Sequence, residues 1–475
     1  MAYGYWRAGR IHDEAVFHLF FRNAPFHGGY TIAAGLENAI TYVSDLRYRK
    51  SDIDYLASLR NESQKPLFSA DFLRYLKNLR FTVDIDAVEE GTIVFPQQPL
   101  LRVKGSLIQC QLLESALLNC ISFPSLIATK ASRLCYAAKG QPVVEFGIRR
   151  AQGFDGGLTA SRAAYIGGCA GTSNVLAGKL YDIPVRGTHA HSWVMSFPNE
   201  LDSFEQFTKV MPNNAYLLVD TYNTLEGVKN AIIIAKQLAQ KNKHLSGIRL
   251  DSGDLAYLSI QARKMLDAAG LKNTKIMASN DLDEHIIASL EEQGAKIDVW
   301  AVGTKLATAF DQPALDGVYK LGAVRHKNGE WEYKLKLSEQ TAKISIPGLL
   351  RTRRFFNKNG AVADAIYDEQ LGINDFCTII DSLDSTKRRK INNGTAYEEL
   401  LQPIFRKGKL VYKIPSIAKS RQRTLDQLNL FHPAIRRFLN PHSYPVGLEK
   451  NLFELRMKLI LQAREAAQEN TQAPD

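Results

Sequence analysis

Cysteine is sparse: five residues in a chain of 475, at Cys110, Cys120, Cys135, Cys169 and Cys377, with no CxxC pair among them. That spacing excludes a disulfide framework and a thiolate zinc site, and it suits a reducing compartment, so the expected location is the cytoplasm. Long apolar runs are missing too. No stretch reaches the roughly 20 residues that span a bilayer. The opening Met1-Ala2-Tyr3-Gly4-Tyr5-Trp6 lacks the basic and apolar regions of a signal peptide. There is no low-complexity linker, zinc finger, RNP motif or heptad-linked basic region. The net charge of +11 is spread out, with local clusters only from Arg351 to Arg354 and at Lys387-Arg388-Arg389-Lys390. Such a distribution fits a basic surface or a site for small anions better than a nucleic-acid footprint.

What is present is apolar mass, 45% of the residues, enough for two or three domains. The middle third repeats one pattern, a short apolar run that stops on polar chemistry before a helix-like stretch. Val143-Val144-Glu145-Phe146 ends on Arg149-Arg150, Ile183-Pro184-Val185 on Gly187-Thr188-His189-Ala190-His191, and Tyr216-Leu217-Leu218-Val219 on Asp220-Thr221. Gly247-Ile248-Arg249-Leu250 ends on Asp251-Ser252-Gly253-Asp254, Lys275-Ile276-Met277-Ala278 on Ser279-Asn280-Asp281, and Val299-Trp300-Ala301-Val302 on Gly303-Thr304-Lys305. Strands separated by helix-length spacers imply parallel βαβ units. The expected fold is therefore α/β, a closed TIM-like β/α barrel over residues 126–322 whose strand carboxyl ends share one rim, the place for a site.

Around the barrel, residues 1–10 read as a helix without an N-cap and residues 15–22 as a strand. Residues 31–46 read as an amphipathic helix, and Ser69 caps another. Residues 81–105 are strand-rich, and 106–139 read as a long helix broken near Pro124. Asn328-Gly329 and Lys358-Asn359-Gly360 are hairpin signals. Two helices close the chain, with a frayed tail over residues 469–475. Neither the early nor the late strands make a sheet alone, so residues 1–125 and 323–475 are expected to form one β-rich α+β domain.

At the predicted rim, His191 is the sharpest candidate: glycine, hydroxyls and imidazoles in Gly187-Thr188-His189-Ala190-His191-Ser192 suit phosphate binding or covalent phosphate transfer. His189 reads as a packed or solvent-facing neighbour. Asp220 and Asp251 can hold ribose hydroxyls, magnesium or a developing cation, whereas Asp254 suits a helix cap. Arg249 lies two residues from Asp251, on the same strand face. Only one of Arg149 and Arg150 is expected to reach the rim. Ser279, Asn280, Gly303, Thr304 and Lys305 stand where such barrels place a phosphate site. Together these residues indicate an anionic, phosphorylated substrate with sugar hydroxyls and a reactive histidine, without naming a reaction.

The segments from Glu145 to Gln152, Asp155 to Ser161, Gly171-Thr172-Ser173-Asn174, Gly187 to Trp193, Val219 to Tyr222, Arg249 to Asp254 and Gln312-Pro313-Ala314 together resemble nicotinate phosphoribosyltransferases. The resemblance runs nearly end to end. It implies a type II phosphoribosyltransferase, an irregular barrel plus a β-rich domain, working as a homodimer with shared active sites. It implies transfer of 5-phosphoribosyl from phosphoribosyl pyrophosphate to nicotinate in NAD biosynthesis, driven by ATP with magnesium through a phosphohistidine at His191. Thr188 and Arg249 would contact nicotinate, Phe146 would line the ring pocket, and Arg149 and Thr304 would face phosphates. Lys336 and Lys343 would reach pyrophosphate. Lys305 stands where arginine is also common. Ser173 replaces an aspartate of related nicotinamide enzymes, which favours the carboxylate base.

The resemblance also places a Thr-Asp-Leu-Tyr-like segment ahead of Met1, with a tyrosine that stacks on nicotinate across the dimer. The expectation is a reading frame that begins upstream and a weaker enzyme in the chain as written. The alternatives are a nicotinamide phosphoribosyltransferase, a truncated inactive paralogue acting as a scaffold, and a basic nucleic-acid binder.

Overall fold

The computed structural model describes residues 1–472 apart from Asn328 and Asp375. The chain divides into two compact units. Residues 1–125, 314–416 and 423–475 form one, and residues 126–313 with 417–422 form the other. Among the described residues no helix is long and apolar enough to cross a membrane.

The first unit joins early and late strands in one seven-stranded sheet, in which the interior strand Glu14–Phe21 pairs antiparallel with Leu101–Ser106 on one side and Gly317–Arg325 on the other. Seven of its eight residues are buried, as a nearly continuous apolar run requires when both faces are covered. Its polar member, His18, accepts the Leu350 N–H through Nε2 at 3.0 Å. Gly317–Arg325 crosses position 322, the end expected for the barrel. A second, six-stranded sheet holds a fully buried ion pair, Arg354 Nη2 to Asp364 Oδ2 at 2.6 Å. Gln98 and Tyr444 donate to the same carboxylate, at 2.6 and 2.8 Å, so its lone pairs are satisfied.

The hairpin at Lys358-Asn359-Gly360 forms between Leu350–Asn357 and Gly360–Asp368, with Gly360 at φ 114°. Asn328 of the other predicted turn lies outside the described residues, although its flanking strands do pair, Ala323 opposite Tyr333. The last helix is Lys450–Gln472, and residues 473–475 lie outside the description.

Two helix expectations change. Residues 31–46 split into a short strand, Thr31–Ile32, and a helix, Leu36–Asp45, because Gly35 at φ 94° interrupts the pattern. The long helix Glu114–Ala137 runs straight through Pro124, and the break falls earlier, at Leu113. Proline deprives the carbonyl four residues back, Cys120, of its helical donor. Gly35 packs on that carbonyl so closely that an added Cβ would lie 1.9 Å from the oxygen.

The second unit is built on six parallel strands: β1 (Val143–Glu145), β2 (Gly171–Thr172), β3 (Tyr216–Leu218), β4 (Gly247–Leu250), β5 (Lys275–Ala278) and β6 (Val299–Val302). Their order is β2-β1-β6-β5-β4-β3, the cyclic order of a β/α barrel cut between β2 and β3. The predicted strand at Ile183-Pro184-Val185 contributes one parallel bridge, Val185 to Thr172. Pro184 has no N–H to extend it. Gly171–Thr172, whose two residues are too few to show a period, takes a full place in the sheet. The curled sheet is an irregular barrel, as the family resemblance implied, and it is open at one seam. On the face of β6 opposite Val299 and Ala301, Trp300 is fully buried, with its indole N–H on Gln141 Oε1 at 2.8 Å.

The polar residues that follow these strands divide into two jobs. Asn174, Asn199, Asn223, Asp254 and Asp283 cap helices, each accepting a backbone N–H two or three residues ahead. Asp254 is thus a cap, on Tyr257 N at 3.0 Å. Most of the remainder line a cavity at the rim.

Candidate active site

The rim cavity holds about 400 Å³. Phe146, Arg149, Ser173, Thr188, His191, Arg249, Asp251, Ser279, Asn280, Gly303 and Thr304 all line it, so five separated strand ends converge as predicted.

Arg249 organises the cavity floor. It projects from β4, and its guanidinium donates through Nε to Ser279 Oγ at 2.8 Å, through Nη1 to Thr188 Oγ1 at 2.9 Å and through Nη2 to Asp251 Oδ1 at 2.8 Å. Its Cζ lies 5.7 Å from the centre of the Phe146 ring. A guanidinium has five N–H groups. Three are committed here, and two remain to meet a ligand carboxylate.

Asp251 accepts from Arg249 and from the Ser279 hydroxyl on the same oxygen. Burial opposes its ionisation, but the Arg249 charge and these hydrogen bonds outweigh burial and hold the carboxyl below its ordinary range. Its other oxygen lies 3.6 Å from His191 Nε2. His191 opens the short helix His191–Met195 and has Nδ1 3.2 Å from Thr221 Oγ1. Asp220 lies one layer down. Its Oδ2 accepts the Asp251 N–H at 2.8 Å and the Ser252 hydroxyl at 2.6 Å, while Oδ1 is buried without a partner.

Three other predicted residues are not among those lining the cavity. Lys305 is not among the lining residues. Its ammonium sits 3.9 Å from Asp283 Oδ2 and 3.9 Å from the centre of the Phe310 ring. Lys336 and Lys343 belong to the other unit, where Lys336 N donates to Ser345 Oγ at 2.8 Å and Lys343 ends the turn Thr341–Lys343.

Both Arg149 and Arg150 line the cavity. The expectation of one outward arginine assumed an extended chain, where neighbours point to opposite faces. The chain instead turns into a 3₁₀ helix at Ile148–Arg150, which fans three residues around one turn.

Sequence reasoning missed Glu145. It is 1% exposed, and its carboxylate accepts from Gly147 N, from Ser161 Oγ at 2.9 Å and from Thr172 Oγ1 at 2.6 Å. It ties β1, which leads to Phe146, to β2, which leads to Ser173. A carboxylate inside Val-Val-Glu-Phe was the signal, since a buried charge must be satisfied.

His189 is buried like a core residue, with its ring 4.7 Å from that of Phe207 and its Nε2 accepting Leu218 N–H at 3.1 Å. Burial lowers its pKa to about 4, and burial likewise takes His18 to about 3. Both are therefore neutral in the fold, whereas the unfolded chain takes protons near pH 6.5. Their contribution to stability is complete above about pH 6.5 and is lost as pH falls towards 4 and 3. At pH 5 the expected loss is about 2 kcal/mol per histidine. Carboxylates held low, such as Asp251, act in a separate, more acidic window. Chemical unfolding at pH 7.5 and 5.0 measures this. His18→Gln should flatten the dependence, and an unchanged slope would refute the assignment.

Three family descriptions match in register: the nicotinate phosphoribosyltransferase N-terminal domain over residues 1–122, the nicotinate phosphoribosyltransferase family over 142–335 and the C-terminal domain over 351–456. The chain is 40% identical over 474 residues to nicotinate phosphoribosyltransferase of Bacillus subtilis, covering 99% of this chain and 95% of that one. The crystal structure of human nicotinic acid phosphoribosyltransferase superposes with a TM-score of 0.84 at 31% identity, covering 97% of this chain and 98% of that one. The structure of nicotinate-nucleotide pyrophosphorylase from Pyrococcus furiosus, at 22% identity, shares the fold with a TM-score of 0.68, covering 90% and 92%.

Proposed function

The chain belongs to the nicotinate phosphoribosyltransferase family, and we infer from that membership and from the rim cavity that it joins nicotinate to phosphoribosyl pyrophosphate. The products are nicotinate mononucleotide and pyrophosphate, a step of NAD biosynthesis. The observation that carries this reading is Arg249, a fixed cation with two uncommitted N–H groups beside an aromatic ring and two hydroxyls. A pyridine carboxylate needs that set: a charge-assisted fork for the carboxylate and a flat apolar face for the ring.

Phosphoribosyl transfer builds positive charge on the ribose as pyrophosphate departs. Asp251 and Asp220, stacked at the ends of neighbouring strands, stabilise that charge and orient the sugar hydroxyls. Arg149, Asn280, Gly303 and Thr304 receive phosphate oxygens at the rim. Arg150 adds a second guanidinium there.

ATP drives the step through His191. In the tautomer that donates Nδ1–H to Thr221, the Nε2 lone pair is free to take the γ-phosphoryl group, and ADP leaves. Among the described residues no three His, Cys, Asp or Glu side chains gather as a metal site. Magnesium does not need one, because it takes one or two carboxylates and fills its shell with phosphate and water. Asp220, with its unpartnered Oδ1, is the carboxylate that fits, and the ion would neutralise pyrophosphate charge. A homodimer with shared sites completes this reading.

The test is product analysis with phosphoribosyl pyrophosphate, ATP, magnesium and either nicotinate or nicotinamide. Nicotinate mononucleotide is the expected product. Absence of both mononucleotides would leave the scaffold alternative. Ser173 lines the cavity and sets base choice. Ser173→Asp should lower nicotinate use and raise nicotinamide use, because a carboxylate there repels the acid and accepts from the amide. The shift in relative kcat/KM should be about tenfold or more, equivalent to about 1.4 kcal/mol. An unchanged ratio would mean that Ser173 does not face the base.

A further inference from the structure

The seam in the barrel is closed by a side chain. On one flank β2 pairs with Val185, and no strand lies beyond it among the described residues. On the other flank, among the described residues, β3 pairs with β4 only, so β3 presents an open edge to the seam. Successive N–H groups of a strand point to opposite sides. Val219 N donates towards β4, to Arg249 O at 3.2 Å, which aims Leu218 N at the seam. The acceptor it finds is the His189 ring, at 3.1 Å.

We propose that His189 is a positioning residue that closes the barrel: its imidazole takes the hydrogen bond a missing strand would supply and thereby sets Thr188 and His191 on either side of it. An accepting Nε2 requires the proton on Nδ1, which lies 3.4 Å from Ala190 O. The ring is therefore neutral and bonded at both nitrogens, and Phe204 and Phe207 pack against it. Its low pKa follows from that burial and from the nearby charges of Arg249 and His191.

The placement matters because this one residue sits between two working side chains. The Thr188 hydroxyl donates to His189 O at 3.0 Å, which turns its lone pair to Arg249 Nη1. His191 meets Thr221, three residues beyond the Leu218 amide that His189 holds. Fixing the ring on β3 therefore fixes both distances. A mere packing residue would be replaceable by any apolar side chain of similar size. A hydrogen-bond acceptor is not, since it leaves a buried N–H unsatisfied when lost.

The experiment compares His189→Leu with His189→Gln, whose amide oxygen reaches the Nε2 position. The primary readout is amide exchange across residues 215–222 in the substrate-free protein, which stays informative if the proposed reaction is wrong. His189→Leu should exchange about 10- to 100-fold faster there. It should also raise the KM for nicotinate and slow His191 labelling by γ-labelled ATP. His189→Gln should restore all three to within about threefold, well inside one tenfold step. Wild-type exchange in His189→Leu would overturn the proposal, as would a His189→Gln variant as impaired as His189→Leu. Should His189→Leu not fold, the ¹⁵N imidazole spectrum of the wild type decides: an Nδ1–H tautomer supports the proposal and an Nε2–H tautomer overturns it.

Discussion

Replacing His191 with alanine is expected to remove all stimulation by ATP while leaving slow, uncoupled phosphoribosyl transfer. The separation follows from geometry. His191 has one nitrogen against Thr221 at 3.2 Å and the other 3.6 Å from Asp251, beyond a firm hydrogen bond but close enough to feel the carboxylate. In the proposed reaction that carboxylate steadies the imidazolium that forms as phosphate moves. In the proposed reaction Arg249, Thr188 and Phe146 hold the base independently of the ring, so transfer itself should survive. Wild-type protein incubated with γ-labelled ATP should carry acid-labile label, and the His191→Ala protein should carry none. Equal labelling of the two would remove His191 from the scheme. Thr221→Ala is the graded control. Loss of one neutral hydrogen bond costs about 1 kcal/mol, so labelling should slow roughly fivefold without vanishing.

The rim was legible because barrel strands announce themselves twice, by an apolar run and by the polar residue that stops it. Val143 to Glu145, Tyr216 to Leu218, Gly247 to Leu250, Lys275 to Ala278 and Val299 to Val302 all form parallel strands, and their endings meet in one cavity. Residue pairs that need a particular backbone turn were not legible. Arg149 and Arg150 share the cavity only because the chain leaves β1 through a 3₁₀ turn. The two-residue strand at Gly171–Thr172 carries no period, and it exists because Thr172 finds Glu145 Oε2 at 2.6 Å across the sheet. The role proposed for His189 was not legible for a different reason: nothing in a sequence marks the strand that is not there, and so nothing marks a side chain that takes its hydrogen bond. The N-cap reading of Asp254 illustrates the reverse case, where a local rule was sufficient because the interaction is local.

Arg249→Ala should raise the KM for nicotinate far more than that for ATP. The guanidinium is largely buried, at 14% exposure, and makes three hydrogen bonds to the protein. Removing it deletes the counter-charge proposed for the substrate carboxylate in a desolvated place, a loss of about 2–5 kcal/mol, or about 30-fold to several thousand-fold in affinity. It also frees Asp251 from the charge that keeps its carboxyl low, so the Asp251 titration should rise and the rate should fall off at a higher pH than in the wild type. Arg249→Lys separates the two effects. A lysine keeps the positive charge beside Asp251 but offers no planar fork, so it should restore much of the pH profile while leaving nicotinate binding weak. In the proposed reaction ATP meets the protein through His191 and the outer rim, so its KM should change little in either variant. The measurement is initial rates over a nicotinate series at saturating ATP, repeated between pH 5.5 and 8. A nicotinate dependence that matches the wild type would assign Arg249 to another ligand, because no second cation on the cavity floor is held by Thr188, Ser279 and Asp251 in the same way among the described residues.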